Sequence, residues 1–215
     1  MRSKRVLEVI CCSLDDAIAA RDGGADRLEV CSRLDLQGLT PAVEMVESIV
    51  HAVRIPVRVM IRGGDGFMEA GEASAIQEMS KLPLDGIVFG LLDTAGRLDF
   101  PAMDRVLRHA APAWGWTLHR AFDFAVGTVE EKLAAVAQHQ RADRILTATA
   151  WKLPPPPGLQ FIAGGGLDTG NLQEYLDSPC REFHFGRAAR TPATTTAPVD
   201  AQRVRELARI LRQVE

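Results

Sequence analysis

Polar turns and short apolar runs alternate along the whole chain. GGADRLEV (23–30), PLDGIVFG (83–90), RADRILTA (141–148) and PCREFHFG (179–186) each read as a turn followed by a few apolar or mixed residues. VLEVI (6–10), VRVMI (57–61), WTL (116–118) and LQFIA (159–163) add four further runs. Runs of this length, bounded by turn residues, predict eight β-strands. Between most of them the period changes to that of helices, over 14–26, 40–53, 72–82, 100–111, 128–140, 171–178 and 200–214. Ser13 is placed to cap the first helix and the Gly23–Gly24 pair to stop it. Thr40, Pro41 and Glu44 read as cap, first helical residue and capping-box partner of the second. Strand alternating with helix requires parallel strands with helices outside. Eight such units in one domain, residues 1–215, predict a compact (β/α)8 or TIM barrel, shorter than the usual form.

The rhythm breaks once. TAWKLPPPPG (149–158) is all that joins the sixth and seventh strands, and four consecutive prolines forbid a helix. The barrel is therefore expected to lack the helix between strands 6 and 7. Outward residues such as Ile145 and Phe161 then need another cover: Trp151 folded back, a second subunit, or both. Only the second of these would make the protein a homodimer or higher homo-oligomer.

Composition changes little. The chain is 47% hydrophobic and 25% charged, enough for a full core, and its formal charge of −3 gives no reason to expect nucleic acid or an anionic membrane as partner. No stretch approaches a membrane span, and MRSKRVLEV runs into a strand without a signal-peptide apolar region. A cytoplasmic location is expected. The cysteines at 11, 12, 31 and 180 contain no CxxC pair, so reduced thiols are expected and a structural zinc site has little support.

Strand parity supplies the candidate chemistry, because residues two apart share a face. Glu8 goes with Ile10, Glu29 with Cys31, Arg62 with Met60, His119 with Thr117, and His184 with Glu182. All can face the barrel interior near the strand C-termini, where barrels of this kind collect their chemistry. Asp123, three residues beyond Arg120 in WTLHRAFD, would lie on the loop above His119. The candidate catalytic groups are Glu8, Glu29, His119 and Asp123. The alternative is a mutual ion network with no ligand. Arg58 shares the inward parity near the barrel bottom, where Glu182 is the expected counter-charge. In AGGGLDTGN (163–171), Gly164, Gly165 and Gly166 can expose backbone N–H groups to an anion, and the basic FGRAAR loop follows the eighth strand.

LEV-x4-L-x2-A, GGADRLEVCS-x-L-x3-GLTP, IPV-x-VMIR, DGIVFGLL, TLHRAFD, DRILT, AGGG and REFH together resemble the CutC family, once named for copper homeostasis, from about residue 6 to 190. The resemblance implies a cytoplasmic TIM barrel that forms dimers or higher oligomers. It also implies a pocket at the strand C-termini holding Glu8, Glu29, Arg62, His119, Arg120, Asp123 and His184. The chain departs from the family pattern in three places. IRGGDGF (61–67) is two residues shorter before its glycines, TATAWKLPPPPG replaces a helix, and Ile10 stands where the first family cysteine would, leaving Cys31 as the matching thiol.

Three functions follow as expectations. One is copper(I) held by Cys31 with Cys12, which lies on the inner side while Cys11 points outward; thiolates suit copper(I). Another is an enzyme acting on a small anionic or phosphorylated metabolite. Arg62, Arg120, Gly164–Gly166 and His184 would bind it while a carboxylate and His119 perform acid–base chemistry. The third is an oligomeric binding scaffold.

Overall fold

A computed structural model describes residues 4–64, 66–68, 70–139 and 141–213. Residues 1–3 of the basic N-terminus, and the expected helix ends at Gln140 and Val214, lie outside the described residues. Eight parallel strands close into a barrel in sequence order: β1 (Val6–Cys11), β2 (Arg27–Val30), β3 (Val57–Met60), β4 (Gly86–Phe89), β5 (Gly115–Leu118), β6 (Ala142–Thr147), β7 (Gln160–Ala163) and β8 (Glu182–Phe185). The helices are α1 (Leu14–Gly23), α2 (Val43–Ala52), α3 (Glu72–Met79), α4 (Phe100–Leu107), the short α5 (Ala121–Phe124), α6 (Val129–Ala137), α7 (Leu172–Leu176) and α8 (Ala201–Arg212). No helix of the described residues is long and apolar enough to cross a membrane.

Local sequence explains most boundaries. The Ser13 side chain accepts from the Asp16 N–H at the start of α1, and Gly24 ends that helix in the left-handed conformation (φ +93°). Thr128 and Glu131 form a reciprocal capping box on α6. The expected cap of α2 is a correction: this helix starts at Val43, and Ala42 makes no side-chain cap. Thr40 instead ties the β2 loop to the end of β3. Its hydroxyl accepts from the Arg62 N–H (2.8 Å) and donates to the Arg62 carbonyl (3.1 Å). The hydroxyl is spent on positioning Arg62.

Alternating parity divides the apolar residues into two layers. Leu7, Val9, Leu28, Val59, Phe89, Trp116, Ile145, Phe161 and Phe183 face the helices and form the main core, with Cys11 among them. Ile10, Cys31, Met60 and Val88 form a smaller cluster inside the barrel. Below it the interior is charged. The Arg58 guanidinium grips both oxygens of Asp143 (2.8 and 2.6 Å) and also donates to Asp85 (2.7 Å) and Thr117 (2.7 Å). Gly115 makes room for this pair, since a Cβ there would lie 2.5 Å from the Arg58 Nη2. Arg144 bridges Asp143 and Glu182, and Arg27 bridges Glu182 (2.5 Å) and Glu8. The expected Arg58–Glu182 pairing is thus wrong. Glu182 sits beside Val6 of β1 and Ile162 of β7, which puts Arg27 and Arg144 nearer than Arg58.

Between β6 and β7 there is only a 3-10 turn, Ala150–Lys152, so the barrel lacks that helix as the prolines require. The gap closes from within the chain. Trp151 is 4% exposed, donates its indole N–H to the Ala148 carbonyl (2.9 Å), and stacks on Tyr175 at 4.0 Å. Ile145 and Phe161 are buried beneath it. The gap by itself therefore leaves no need for a second subunit.

Candidate functional site at the barrel mouth

A cavity of 370 Å³ opens at the strand C-termini, within the size range of metabolite sites. Of the residues singled out by parity and loop position, Glu29, Arg62, His119, Arg120, Gly165, Gly166 and His184 line it. Parity reasoning thus brings residues of β2, β3, β5 and β8 to one place. Gly165 (φ +93°) must be glycine: a Cβ there would lie 2.6 Å from the Ala148 Cβ. Gly166 (φ +109°) has open space where its Cβ would be, so the backbone itself faces the cavity.

The other candidates have different places. Gly164 continues the β6–β7 ladder through its N–H to Thr147 (3.0 Å). Asp123, in the first turn of α5, does not line the cavity. Its carboxylate accepts from Arg120, Thr147, the Ala148 N–H and Thr149 at 2.6–3.2 Å, so it braces the β5 and β6 loops. Glu8 lies below the cavity, held by Arg27 and by His184 Nδ1 (2.7 Å). Burial alone would raise the Glu8 carboxyl; the Arg27 charge and His184 outweigh it and hold it well below the usual carboxylate range. Glu8 is therefore a fixed anion that orients His184. Cys12 and Cys31 form a separate pair with sulfurs 3.7 Å apart.

Two cavity-lining groups have buried atoms with no partner among the described residues: Glu29 Oε2 and His119 Nε2. His119 Nδ1 accepts from the Ala121 N–H (3.2 Å), so in the neutral ring the proton sits on Nε2. Burial, aided by the Arg62 charge, pushes the His119 pKa down to about 3. His119 therefore presents a neutral N–H donor to the cavity. Glu29 is the opposite case. Burial pushes its carboxyl up to about 7, although His184, whose Nε2 is 4.0 Å from Glu29 Oε1, pulls it back. Burial disfavours a charged His184, but Glu29 and Glu8 outweigh that and raise its pKa. Glu8, Glu29 and His184 also bring three potential ligand atoms within 4.8 Å of one another. Arg27 already neutralises Glu8, which favours proton sharing over a cation there.

Arg62 is partly spent on the loops, donating to the Gly66 carbonyl (3.0 Å) and more weakly to the carbonyls of Leu36, Gln37 and Gly38. Its guanidinium lies over Phe67, which meets His119 edge-on at 5.3 Å. The shortened IRGGDGF loop therefore still delivers an aromatic wall. Sequence reasoning missed Phe67 as well as Arg187 of the FGRAAR loop. Arg187 lines the cavity, exposed, with no ion-pair partner among the described residues. Its only signal was the basic character of that loop.

Comparison with known proteins agrees with this fold. The model of the CutC family matches residues 5–152. A family protein CutC from Enterobacter sp. (strain 638) is 34% identical over 205 residues, 87% of this chain and 82% of that protein. Among solved structures, CutC of Streptococcus agalactiae, named for copper homeostasis, superposes with a TM-score of 0.72 at 21% identity, covering 84% of this chain and 97% of its own. Likeness extends to the 3-hexulose-6-phosphate synthase of Salmonella typhimurium (TM-score 0.67, 16% identity, 98% of this chain and all of that one). At such identities the shared property is the fold.

Proposed function

The chain belongs to the CutC family, and from that premise and the geometry of the mouth we propose that it binds a small anionic metabolite there and works on it by general acid–base chemistry. One observation carries the reading: Glu29 Oε2 and His119 Nε2 are both buried, both unpartnered and both on one cavity. An unmet buried polar group costs roughly 1–3 kcal/mol, and a ligand that pairs with both recovers that. The neutral His119 N–H suits a substrate carbonyl or hydroxyl oxygen. A carboxyl poised at about 7 suits taking and returning a proton near neutral pH. Arg120, Arg187 and the Gly165–Gly166 backbone line the same cavity and supply an anion-binding side. In titration calorimetry with inorganic phosphate as probe, Arg187→Ala and Arg120→Ala are each expected to weaken binding about tenfold or more, since a hydrogen bond to a charged group contributes roughly 1.5–3 kcal/mol. Unchanged affinity in both variants would remove the anion side from the proposal.

The second reading takes copper(I) as cargo and rests on the thiol pair. Cys12 and Cys31 face each other at 3.7 Å, and the thioether residue Met60 packs in the same cluster as Cys31; sulfur donors of this kind suit copper(I). The donor set fits, because Arg190 Nη2, 3.8 Å from the Cys12 sulfur, offsets the negative charge of a dithiolate. In a titration against a competing copper(I) chelator, Cys31→Ser is expected to abolish stoichiometric binding. Cys180→Ser should leave it intact, because Cys180 lies before β8, at the other end of the barrel, with its thiol on the Phe161 carbonyl (3.1 Å). Undiminished affinity in the Cys31 variant would take copper off this pair.

A further inference from the structure

The acid–base reading leaves Cys12 and Cys31 unused, and their surroundings differ in a way that copper binding does not require. Cys31 is fully buried between Ile10, Met60 and Val88. Cys12 is partly exposed and lines a second cavity of 420 Å³, walled by α1 on one side and the Thr195–Pro198 segment on another. In that cavity Arg190 Nη2 points at the Cys12 sulfur (3.8 Å) while also holding Asp16 (3.1 Å). One sulfur is thus reachable from the second cavity. The other is shielded from solvent and in contact with the first.

We propose that the pair is an oxidation site, in which a small hydroperoxide enters through the second cavity, oxidises Cys12, and Cys31 closes a reversible disulfide. The chemistry balances with the hydroperoxide as the only oxidant. The Cys12 thiolate attacks the terminal peroxide oxygen; an S–O bond forms, the O–O bond breaks, and the alkoxide leaves and takes up the proton that the thiol had released. The Cys31 sulfur then displaces hydroxide from the sulfenic acid; an S–S bond forms, the S–O bond breaks, and water departs with the Cys31 proton. Two thiols lose two electrons, and the hydroperoxide becomes an alcohol and water. The sulfurs need to approach from 3.7 Å to a bond of about 2.05 Å. Both residues stand just beyond strand ends, Cys12 after β1 and Cys31 after β2, where side chains can turn without breaking the ladder. Leu34 lines both cavities, so the pair lies one residue from the mouth.

The experiment treats the folded, reduced protein with one equivalent of hydrogen peroxide in the presence of a copper(I) chelator, followed by intact-mass and peptide analysis. The expected product has lost two hydrogens, carries a Cys12–Cys31 link, and is restored by dithiothreitol. Cys31→Ala treated with dimedone should trap a sulfenic acid on Cys12, whereas Cys12→Ala should lose at least about tenfold in oxidation rate. Oxidation of the wild type at Cys11 or Cys180 instead, or a Cys12 sulfenic acid that accumulates without the link, would overturn the proposal. The wild-type peptide map decides it even if a variant fails to fold. Because the chelator is present throughout, a negative result here and a negative copper titration remain separate outcomes.

Discussion

Replacing Arg27 with methionine is expected to destabilise the protein by about 3–5 kcal/mol, the usual effect of breaking a buried ion pair from one side. Arg27 is 4% exposed and bridges Glu8 and Glu182, which are themselves buried. Methionine keeps much of the volume, so the loss is electrostatic: two carboxylates remain in the barrel with His184 and Arg144 as their only cations among the described residues. For a chain of this length, roughly 2–4 °C per kcal/mol makes the fall in melting temperature about 10 °C. Adding Glu8→Gln and Glu182→Gln should recover part of it, because neutral amides need no counter-charge. The sign of the pH dependence is a further check. Arg27 and His184 depress the Glu8 carboxyl against its burial, so this stability is present above the unfolded carboxylate pKa and is lost as pH falls through the folded value. Arg27→Met should flatten that acid limb. Denaturant melts of the three proteins from pH 3 to 8 test this, and an Arg27 variant within about 1 kcal/mol of wild type at pH 7 would mean the ion chain contributes little.

That same arginine marks where sequence reading stopped. Parity placed Glu29, Arg62, His119 and His184 on one interior because each follows apolar residues in an evident strand. Arg27 shares the face of Glu29, but it follows GGAD and reads as the end of a turn. Asp143 and Arg144 are neighbours, so strict alternation would send them to opposite faces. A register shift between Trp116 and Thr117 in the β5–β6 pairing relaxes that rule, and both join the interior network. The missing helix was legible because prolines act locally. Which oxygen of Asp123 meets which loop was not, since loops have no period and its four partners are set by tertiary contact alone. The sequence pattern also gave no way to separate a carboxylate that is satisfied, Glu8, from one that is not, Glu29. Both face inward beside His184, and the position of Arg27 against Glu8, with the closer approach of His184 to it, divides them.

That division gives the prediction most telling for function: Glu29→Gln should stabilise the protein at neutral and alkaline pH and leave it nearly unchanged below about pH 4. Burial raises the Glu29 carboxyl to about 7 from an unfolded value near about 4.3. A carboxyl raised on folding takes up protons as the chain folds, so the wild type loses stability as pH climbs from the unfolded pKa to the folded one. Above that window the penalty is complete and amounts to roughly 4 kcal/mol, at about 1.36 kcal/mol per unit. Glutamine has the same shape and no charge to bury, so it escapes the penalty. His184 acts with the same sign. Its raised pKa gives stability that is full below the unfolded value and lost as pH rises through the folded one, and removing Glu29 reduces that raise. The wild type should therefore fall below the variant progressively between about pH 4 and 7. Chemical denaturation of both proteins across roughly pH 4–9 measures the difference directly and needs no substrate. A structural carboxylate would give the opposite result, with Glu29→Gln destabilising at pH 8, and that outcome would end the acid–base assignment. The predicted gain would instead identify a charge kept at a cost to the fold, which is the pattern expected of a group retained for its chemistry.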